Sequence, residues 1–341
     1  MTAILEAYGL RKSFSVSRDI IGRTNRWEHA VKDVSVTVQR GETVALLGES
    51  GAGKSTVGRM LLRLIEPDAG TIHFNGRDIR SLNSKDLRAV RAKARMIFQD
   101  PFVSLNPRMV VGDSVGEPLI LHERLRGPDR SKRVRDLFER VGLAAQDMDR
   151  YPFEFSGGQL QRIAVARAIA TNPDIIVCDE PVAALDMSLR AQVINLLCDL
   201  QKERGIALLF VSHDLSLVRL LADRVAVMYR GRVVEQGDAH EVFRAPQHPY
   251  TQALFAAVPV PDPDRRFAPK LALRAKNGMD GLADSGGCAY AVRCPHAFDR
   301  CRTERPELKT SRDGSIIACH LTDTASAISR LQSNNRHERL A

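Results

Sequence analysis

The segment GESGAGKST at residues 48–56 constrains the fold more than any other part of the sequence. It matches the pattern G-x-x-x-x-G-K-[ST] from Gly48 to Ser55. An apolar run at 43–47 precedes it and predicts a buried parallel strand, and a helical pattern of apolar residues follows. Glycines allow successive amides to face phosphate oxygens, and the helix adds the positive end of its dipole. The context therefore predicts a phosphate-binding loop in an α/β fold.

Two polar side chains at the end of this loop, Lys54 and Ser55, have predicted roles. Lys54 is expected to reach the β- and γ-phosphates of a nucleotide, and the Ser55 hydroxyl to ligate Mg²⁺. The predicted nucleotide contacts are Gly48, Glu49, Ser50, Gly51, Ala52, Gly53, Lys54, Ser55 and Thr56. A glycine-rich turn that binds nothing is the alternative, and the flanking strand and helix patterns argue against it.

Two adjacent carboxylates follow a second apolar run. The run at 175–178 predicts a short strand that ends in Asp179 and Glu180. In nucleotide hydrolases with such a loop, the aspartate after the second strand holds Mg²⁺, directly or through water. The neighbouring glutamate is the natural general base for the attacking water. Alone, this acidic pair could begin a solvated loop, whereas beside the phosphate loop it predicts hydrolysis.

A second glycine-containing stretch, FSGGQLQR at 155–162, can also address phosphate. Ser156, Gly157 and Gly158 precede a helical pattern, so they are predicted to cap a helix and to present free amides to an anion. The chain carries one copy of this stretch and one phosphate loop.

The order of these motifs resembles that of the ATP-binding subunits of ABC transporters. Six elements carry the resemblance: the phosphate loop, Gln99 after an apolar run, FSGGQ at 155–159, IIVCDE at 175–180, AALD at 183–186, and His213 closing LLFVSHD. The resemblance covers residues 1 to about 255. It implies a P-loop NTPase (ABC ATPase) of the α/β class with a β-rich N-terminal subdomain, a RecA-like core and a helical subdomain at about 85–165.

The resemblance also implies roles for residues that would attract no notice alone. Gln99 would contact Mg²⁺ and the attacking water and sense the membrane partner, and His213 would hold the γ-phosphate and help to position the water. Ser156, Gly157, Gly158 and Gln159 would bind the ATP held by a second subunit. Asp186 would link the two sites.

Two positions leave room for other interpretations. Phe14 is predicted to stack on the adenine base in preference to Trp27, although an apolar Phe there could simply pack. Family members commonly carry Ser where this chain has Ala183, and the missing hydroxyl could alter coupling between the two sites.

Composition predicts a soluble, peripheral protein, and the resemblance to ABC transporters implies that it lies at the cytoplasmic face of the cell inner membrane. The chain of 341 residues is 44% hydrophobic, but no apolar run approaches the ~18 residues that cross a bilayer. Its N-terminus lacks signal-peptide architecture. The formal charge of +9 invites a nucleic-acid interpretation. Basic residues crowd at 88–95 and again at 124–135. Attraction to anionic lipid headgroups accounts for them without DNA, and solvated helix faces do so equally well.

Two longer stretches are similar to the dipeptide, oligopeptide and nickel importer branch of this family. They are QDPFVSLNPRMVVGDSVGEPL at 99–119 and HPYTQALFAAVP at 248–259. In that branch, the segment after Gln99 forms part of a groove that accepts a helix of the permease. The resemblance predicts an ABC nucleotide-binding domain at 1–255 and a C-terminal extension at 256–341.

Four of the six cysteines fall in this extension with the spacing C-x5-C-x6-C-x17-C: Cys288, Cys294, Cys301 and Cys319. Disulfides are not expected in a cytosolic ATPase. Clustered thiols instead indicate a [4Fe–4S] cluster or Zn²⁺, and the branch resemblance favours the cluster. His296 and His320 could serve as zinc ligands, and unliganded thiols are the third interpretation.

Together these expectations describe an ATP-driven import cycle. Two ATPase subunits, either two copies or this chain and a sister, would drive two membrane permeases served by a periplasmic solute-binding protein. Di- and oligopeptides lead as substrates, with nickel, glutathione and opine-like solutes as alternatives. A soluble ABC ATPase acting on nucleic acid or ribosomes is the alternative of another class, and the match at 99–119 argues against it. Intact Lys54, Gln99, Glu180 and His213 disfavour a non-catalytic partner subunit.

Turn signals predict several local features. Asn75-Gly76 and Arg230-Gly231 each predict a hairpin turn. A polar loop is expected near 18–28 between two strands. A proline-rich linker is expected from Pro246 through Pro249 to Pro263.

Overall fold

The computed structural model describes residues 2–18, 24–183, 185–257, 286–311 and 314–323. The chain divides into two compact units. The first comprises Met1–Ala45 and Ser55–Ser212, and the second comprises Leu46–Lys54 and His213–Ala341. The sequence-based division into 1–255 and 256–341 follows motif resemblance rather than compactness and stays a prediction.

The first unit contains strands and helices in alternation after two long N-terminal strands. In chain order they are β1 (Ala3–Arg18), β2 (Thr24–Gln39), β3 (Thr43–Leu47, which runs on into the second unit), α1 (Lys54–Leu61, which begins in that unit), β4 (Ala69–Phe74), β5 (Arg77–Asp78), α2 (Ser84–Lys93), β6 (Ala94–Ile97), α3 (Pro101–Ser104), α4 (Val111–Pro118), α5 (Gly127–Arg140), α6 (Gly157–Ile169), β7 (Ile175–Asp179), α7 (Met187–Arg204) and β8 (Ala207–Val211).

The N-terminal strands form an antiparallel sheet in the order β2-β1-β4-β5. The predicted hairpin at Asn75-Gly76 is confirmed, because both residues have positive φ (49° and 75°) between β4 and β5. The polar loop predicted at 18–28 is wrong in extent. Strand β2 already begins at Thr24, since β1 continues to Arg18 and offers Thr24 a cross-strand partner.

Three parallel strands lie side by side in the first unit, in the order β6-β7-β8. Ile97 pairs with Cys178, and Asp179 pairs with Val211. All five residues of β7 and of β8 are buried. Both faces of these strands are therefore covered, which explains why their sequences are continuous apolar runs and do not alternate between apolar and polar residues. The carboxyl ends of these strands share one edge, where ligands collect in open α/β folds.

The segment predicted to be mostly helical, 85–165, holds α2 to α6 and also strand β6. The proline-containing stretch 99–119 holds α3 and, in its second half, α4. Pro118 is tolerated because it closes α4 and a π-helical turn at Leu119–Glu123 follows.

The second unit continues with α8 (Leu215–Leu221), β9 (Arg224–Tyr229), β10 (Arg232–Asp238), α9 (Ala239–Arg244), α10 (Pro249–Ala256), α11 (Asp299–Thr303), β11 (Lys309–Thr310) and β12 (Ile316–Ile317). The hairpin predicted at Arg230-Gly231 is confirmed by the antiparallel β9–β10 pair. Strand β12 adds to β10, and β11 adds to β12.

The proline-rich linker is wrong where it falls on described residues. Pro249 begins α10, in which His248 is the N-cap and its side chain accepts a hydrogen bond from the Tyr250 amide. Proline suits this first position because no hydrogen bond from its nitrogen is needed there. The prolines expected further along, to Pro263, lie outside the described residues. Within the described part of the chain, no helix has the length and apolarity that a bilayer crossing requires.

Candidate functional site

The phosphate loop links the end of β3 to the start of α1 at Lys54. Gly48, Gly51 and Gly53 have φ of 148°, 80° and 95°, a region that favours glycine. A Cβ on Gly48 would also lie 2.2 Å from the Met228 carbonyl oxygen, within the second unit. The loop therefore keeps its shape only with glycine at its first position.

Lys54 is folded back over its own loop. Its Nζ donates hydrogen bonds to the carbonyl oxygens of Gly48 at 2.8 Å and Glu49 at 3.0 Å. The residue is only 5% exposed. A cation thus sits inside the curve of the loop, where it can exchange carbonyl contacts for phosphate oxygens.

Ser55 and Asp179 lie together in the first unit. The Ser55 hydroxyl donates to Oδ1 of Asp179 at 2.7 Å, and Arg59 forms an ion pair with Oδ2 of the same carboxylate at 3.7 Å. Asp179 is 1% exposed. A hydroxyl and a carboxylate in contact supply oxygen ligands of the kind that Mg²⁺ prefers.

Gln99 and Glu180 meet at the same edge of the parallel strands. The Gln99 Nε2 donates to Oε2 of Glu180 at 3.0 Å. Glu180 has a φ of 47°, and its amide donates to the Val211 carbonyl at 2.9 Å. This contact places a carboxylate and an amide side by side, just after the ends of β7 and β6.

Ser156 caps helix α6, as its sequence context predicts. Its hydroxyl accepts from the Gln159 amide at 3.4 Å, and its amide donates to Oε1 of Gln159 at 3.0 Å, which completes a capping box. Gly157 is exposed, and a Cβ there would meet nothing within 4 Å. Gly158 is buried, and a Cβ there would lie 2.4 Å from Leu189.

Asp186 caps helix α7, a local role that the sequence reasoning missed. Its Oδ1 accepts from the Leu189 amide at 3.0 Å. An aspartate before a helical pattern is a cap signal that could have identified it. Both Asp186 and the nearby Ala183 are exposed.

The remaining predicted nucleotide contacts lie on the surface. Phe14 projects from β1 with 38% of its surface exposed, and Nζ of Lys12 lies 5.6 Å from its ring centroid. Trp27, on β2, is 57% exposed. His213 is an exposed residue at the start of the 213–341 segment of the second unit.

The four extension cysteines line one small cavity together with His248, His296 and His320: they are Cys288, Cys294, Cys301 and Cys319. All four are free thiols. Burial and the neighbouring thiols raise the pKa of Cys294 to about 11 and that of Cys319 to about 12. In the described residues, no group of three or more His, Cys, Asp or Glu side chains is arranged to hold a metal ion.

Two residues that contact the phosphate loop were not singled out from the sequence. Arg293 pairs with Glu49 through two hydrogen bonds, and the Tyr250 hydroxyl accepts from the Glu49 amide. Each lies more than 200 residues from Glu49, so no local pattern signals these contacts.

Family models match two segments of the chain. The model described as "ABC transporter" matches residues 31–183, and the model described as "Oligopeptide/dipeptide transporter, C-terminal region" matches residues 234–301.

Curated relatives match over nearly the whole chain. A protein of Sinorhizobium fredii, "Probable peptide ABC transporter ATP-binding protein y4tS", is 46% identical over 95% of this chain and 92% of its own length. The "Dipeptide transport ATP-binding protein DppF" of Haemophilus influenzae is 43% identical over 94% of this chain and 98% of its own length. The "Glutathione import ATP-binding protein GsiA" of Shigella boydii is 52% identical, over 77% of this chain and 42% of its own length.

Solved structures match the larger part of the chain. A dimeric ATP-binding cassette in a post-hydrolysis state, bound to ADP and phosphate, is 28% identical with a TM-score of 0.63, over 69% of this chain and 98% of that one. The cbiO1 protein of Clostridium perfringens, part of an ABC transporter complex, is 31% identical with a TM-score of 0.60, over 72% of this chain and 92% of that one.

Proposed function

Because the chain belongs to the ATP-binding subunits of ABC transporters, we propose that it hydrolyses ATP to power the import of di- or oligopeptides. The observation that carries the substrate class is the similarity of residues 234–301 to the C-terminal region of oligopeptide and dipeptide transporters. Relatives named for peptide or dipeptide transport are 43% and 46% identical along almost the whole chain. Core motifs alone would not separate this substrate class from others, because all ABC ATPases share them.

ATP is proposed to bind at the phosphate loop, and Mg²⁺ at Ser55 and Asp179. The amides of residues 48–56 and Nζ of Lys54 would hold the phosphates. Ser55 and Asp179 would hold Mg²⁺, because their hydroxyl and carboxylate are already in contact. Phe14 would stack on adenine, and its exposed ring supports that role.

Hydrolysis is proposed to depend on Glu180 as general base. The carboxylate would take a proton from the attacking water, whose oxygen then attacks the γ-phosphorus while the bond to the β-phosphate oxygen breaks. Gln99, hydrogen-bonded to Glu180, would orient that water. His213 would hold the γ-phosphate.

A second ATPase subunit is proposed to complete each site. Ser156 and Gly157 are exposed at the start of helix α6, where the helix dipole favours an anion, and Gly158 follows them. These residues and Gln159 would contact the ATP of the opposite subunit, and Asp186 would link the two sites. ATP binding would then draw the subunits together, and phosphate release would separate them.

The complete transporter is proposed to include two membrane permeases and a periplasmic solute-binding protein. This chain would lie at the cytoplasmic face of the inner membrane as a peripheral subunit. The segment after Gln99 would accept a permease helix, which couples closure of the ATPase pair to the pore. No nucleic acid partner is proposed.

Glutathione is the second candidate substrate. The specific observation is the 52% identity to the glutathione import protein over 77% of this chain. Nickel and opine uptake have no comparable support among these relatives.

The four extension cysteines are proposed to hold a [4Fe–4S] cluster. They line one cavity and are soft donors of the kind that iron–sulfur clusters take. Because the described side chains are not arranged to hold a metal ion in the free chain, binding would have to draw the four thiols together. Crowding and burial disfavour their anionic forms in the free chain, as the raised pKa values of Cys294 and Cys319 indicate. A bound cluster would supply the positive charge that stabilises the thiolates.

The iron proposal is tested by purifying the full chain without oxygen and measuring iron, zinc and visible absorbance. A Cys301→Ser variant should lose most of the iron. The matched control is Cys198→Ser, which removes a half-buried thiol from α7 of the first unit. This variant should keep its iron. Zinc in place of iron, or equal iron in both variants, would contradict a cluster at this site.

The transport proposal is tested by recovering the tagged chain from membranes of its own cells. The expected result is a complex with two membrane proteins whose ATPase activity rises with a peptide-loaded binding protein. Recovery only with ribosomes or DNA would contradict it. A response to glutathione but not to dipeptides would replace the proposed substrate.

A further inference from the structure

Glu49 lies inside the phosphate loop at a position where the motif sets no residue type. Each of its polar groups has a partner within the second unit. The amide donates to the Tyr250 hydroxyl at 2.9 Å, and the carbonyl accepts from Nζ of Lys54 at 3.0 Å. The carboxylate accepts two hydrogen bonds from Arg293, at 3.0 and 3.1 Å.

Arg293 comes from the turn that carries two of the clustered cysteines. Its amide and that of Cys294 both donate to the Tyr290 carbonyl, at 3.0 and 2.9 Å, which tightens the turn. The side chains of Arg293 and Glu49 are 21% and 35% exposed. A bidentate guanidinium–carboxylate pair fixes both position and orientation, which a single contact does not.

Three tyrosine rings surround this pair. The Tyr229 ring centroid lies 4.6 Å from that of Tyr250 and 5.3 Å from that of Tyr290, and the Tyr250 and Tyr290 centroids are 5.4 Å apart. The Arg293 guanidinium lies 5.9 Å from the Tyr229 and Tyr290 ring centroids. All three rings are at least 97% buried, so the guanidinium is held against a rigid aromatic wall.

The charge of Glu49 gives this contact a consequence for nucleotide binding. A carboxylate in a phosphate loop repels the phosphates of ATP unless a cation neutralises it. Arg293 supplies that cation and also fixes the side chain, while Tyr250 fixes the Glu49 amide. Losing Arg293 would therefore loosen the loop and leave a negative charge beside the bound anion.

We propose that Arg293 and Tyr250 are positioning residues for ATP binding, and that through Arg293 the cysteine-containing extension fixes the shape of the phosphate loop. The proposal deepens the ATPase function above and rests on ATP binding at residues 48–56. It does not require that the cysteines hold a metal.

The test compares nucleotide affinity and steady-state kinetics of full-length variants purified without oxygen. Arg293→Ala should raise the Kd of a fluorescent ATP analogue, and the KM for ATP, about five- to tenfold. The kcat at saturating ATP should change less than about twofold, because bound ATP meets unaltered catalytic groups. Tyr250→Phe keeps the ring but removes the acceptor of the Glu49 amide, and should raise the Kd about threefold.

Rescue and control variants separate positioning from general damage. Arg293→Lys keeps the charge but not the bidentate geometry, so its Kd should lie between those of wild type and Arg293→Ala. Adding Glu49→Gln to Arg293→Ala removes the unbalanced charge and should lower the Kd again. The matched control is Arg302→Ala, which removes another extension arginine, one paired with the fully exposed Asp299, and should leave Kd unchanged.

The outcomes distinguish the inference from the function on which it rests. A wild-type chain that fails to bind the analogue, or a Lys54→Ala chain that binds it normally, would overturn ATP binding at this loop. Normal wild-type binding with unchanged Kd in both Arg293→Ala and Tyr250→Phe would overturn only the positioning role. A Kd raised equally by Arg302→Ala would also overturn it.

Discussion

At the scale of single residues, Glu180 combines an unusual backbone conformation with a half-buried position directly after strand β7. Its φ of 47° lies in the left-handed region, which costs a residue other than glycine about 1–3 kcal/mol. Two hydrogen bonds hold Glu180 in this conformation: its amide donates to the Val211 carbonyl, and its carboxylate accepts from Gln99. Tolerated strain at this position is consistent with a carboxylate that must be aimed, as the proposed general base requires.

Glu180→Gln should separate binding from hydrolysis. The amide cannot accept the proton of the attacking water, so ATPase activity should fall at least about 100-fold while ATP remains bound. Steady-state phosphate release and nucleotide binding on the same sample measure the two properties. Glu203→Gln, at an exposed residue of α7, is the control and should behave as wild type. Near-normal hydrolysis by Glu180→Gln would show that another group is the base.

Gly48→Ala should remove nucleotide binding. Its Cβ would overlap the Met228 carbonyl oxygen at 2.2 Å, so the loop must shift. Gly51→Ala is the matched comparison, because φ is positive there too (80°) but a Cβ meets nothing within 4 Å. We expect Gly51→Ala to cost about 1 kcal/mol of stability and to retain measurable ATP binding. Equal affinities in the two variants would contradict the steric argument.

At the scale of elements, helix α6 shows how a cap can leave a surface free for a ligand. The Ser156–Gln159 capping box satisfies donors within the helix terminus, while Gly157 stays exposed with open space around it. The glycine is therefore not required by packing of the described chain. A requirement at Gly157 would have to come from something that approaches α6 from outside.

Gly157→Ala should leave the fold intact and remove ATP turnover. Replacing glycine inside the first helical turn should leave the free energy of unfolding unchanged or raise it by up to about 1 kcal/mol. ATPase activity should nevertheless fall at least tenfold, because a methyl group would separate α6 from the ATP of the second subunit. Thermal unfolding and ATPase assays measure both effects. Full activity would mean that Gly157 does not meet nucleotide.

Local patterns predicted the elements around the site better than the contacts between them. The strand, loop and helix near Gly48 and the strand ending at Asp179 follow from short runs of sequence. The left-handed φ of Glu180 does not follow from a local run, because the carbonyl to which its amide donates belongs to Val211 on a neighbouring strand. The Arg293–Glu49 pair joins residues 244 positions apart, so only the folded second unit reveals it.

At the scale of the whole molecule, the cysteine-containing extension is joined to the rest of the second unit by more than the Arg293 contact. Strand β12 pairs with β10, and Cys319 follows β12 by two residues. Strand β10 in turn pairs with β9. A ligand bound by the cysteines would therefore stabilise the end of this sheet at which β12 lies.

Removing the iron of the proposed cluster should lower the thermal stability of the second unit. A ligand that binds only the folded state stabilises it by mass action, and a loss of about 3 kcal/mol would lower the unfolding midpoint by roughly 6–12 °C. Calorimetry before and after anaerobic chelation measures the shift. Chelation of the Cys301→Ser variant should produce no further change. An unchanged midpoint in iron-containing wild type would contradict a stabilising site.

Uptake of a labelled dipeptide by cells tests whether ATP hydrolysis by this chain drives peptide import. Cells that lack the chain should lose uptake, and the wild-type chain should restore it. The Glu180→Gln chain, produced at the same level, should not. Uptake that persists without the chain, or that Glu180→Gln restores in full, would show that ATP hydrolysis by this chain does not drive the import.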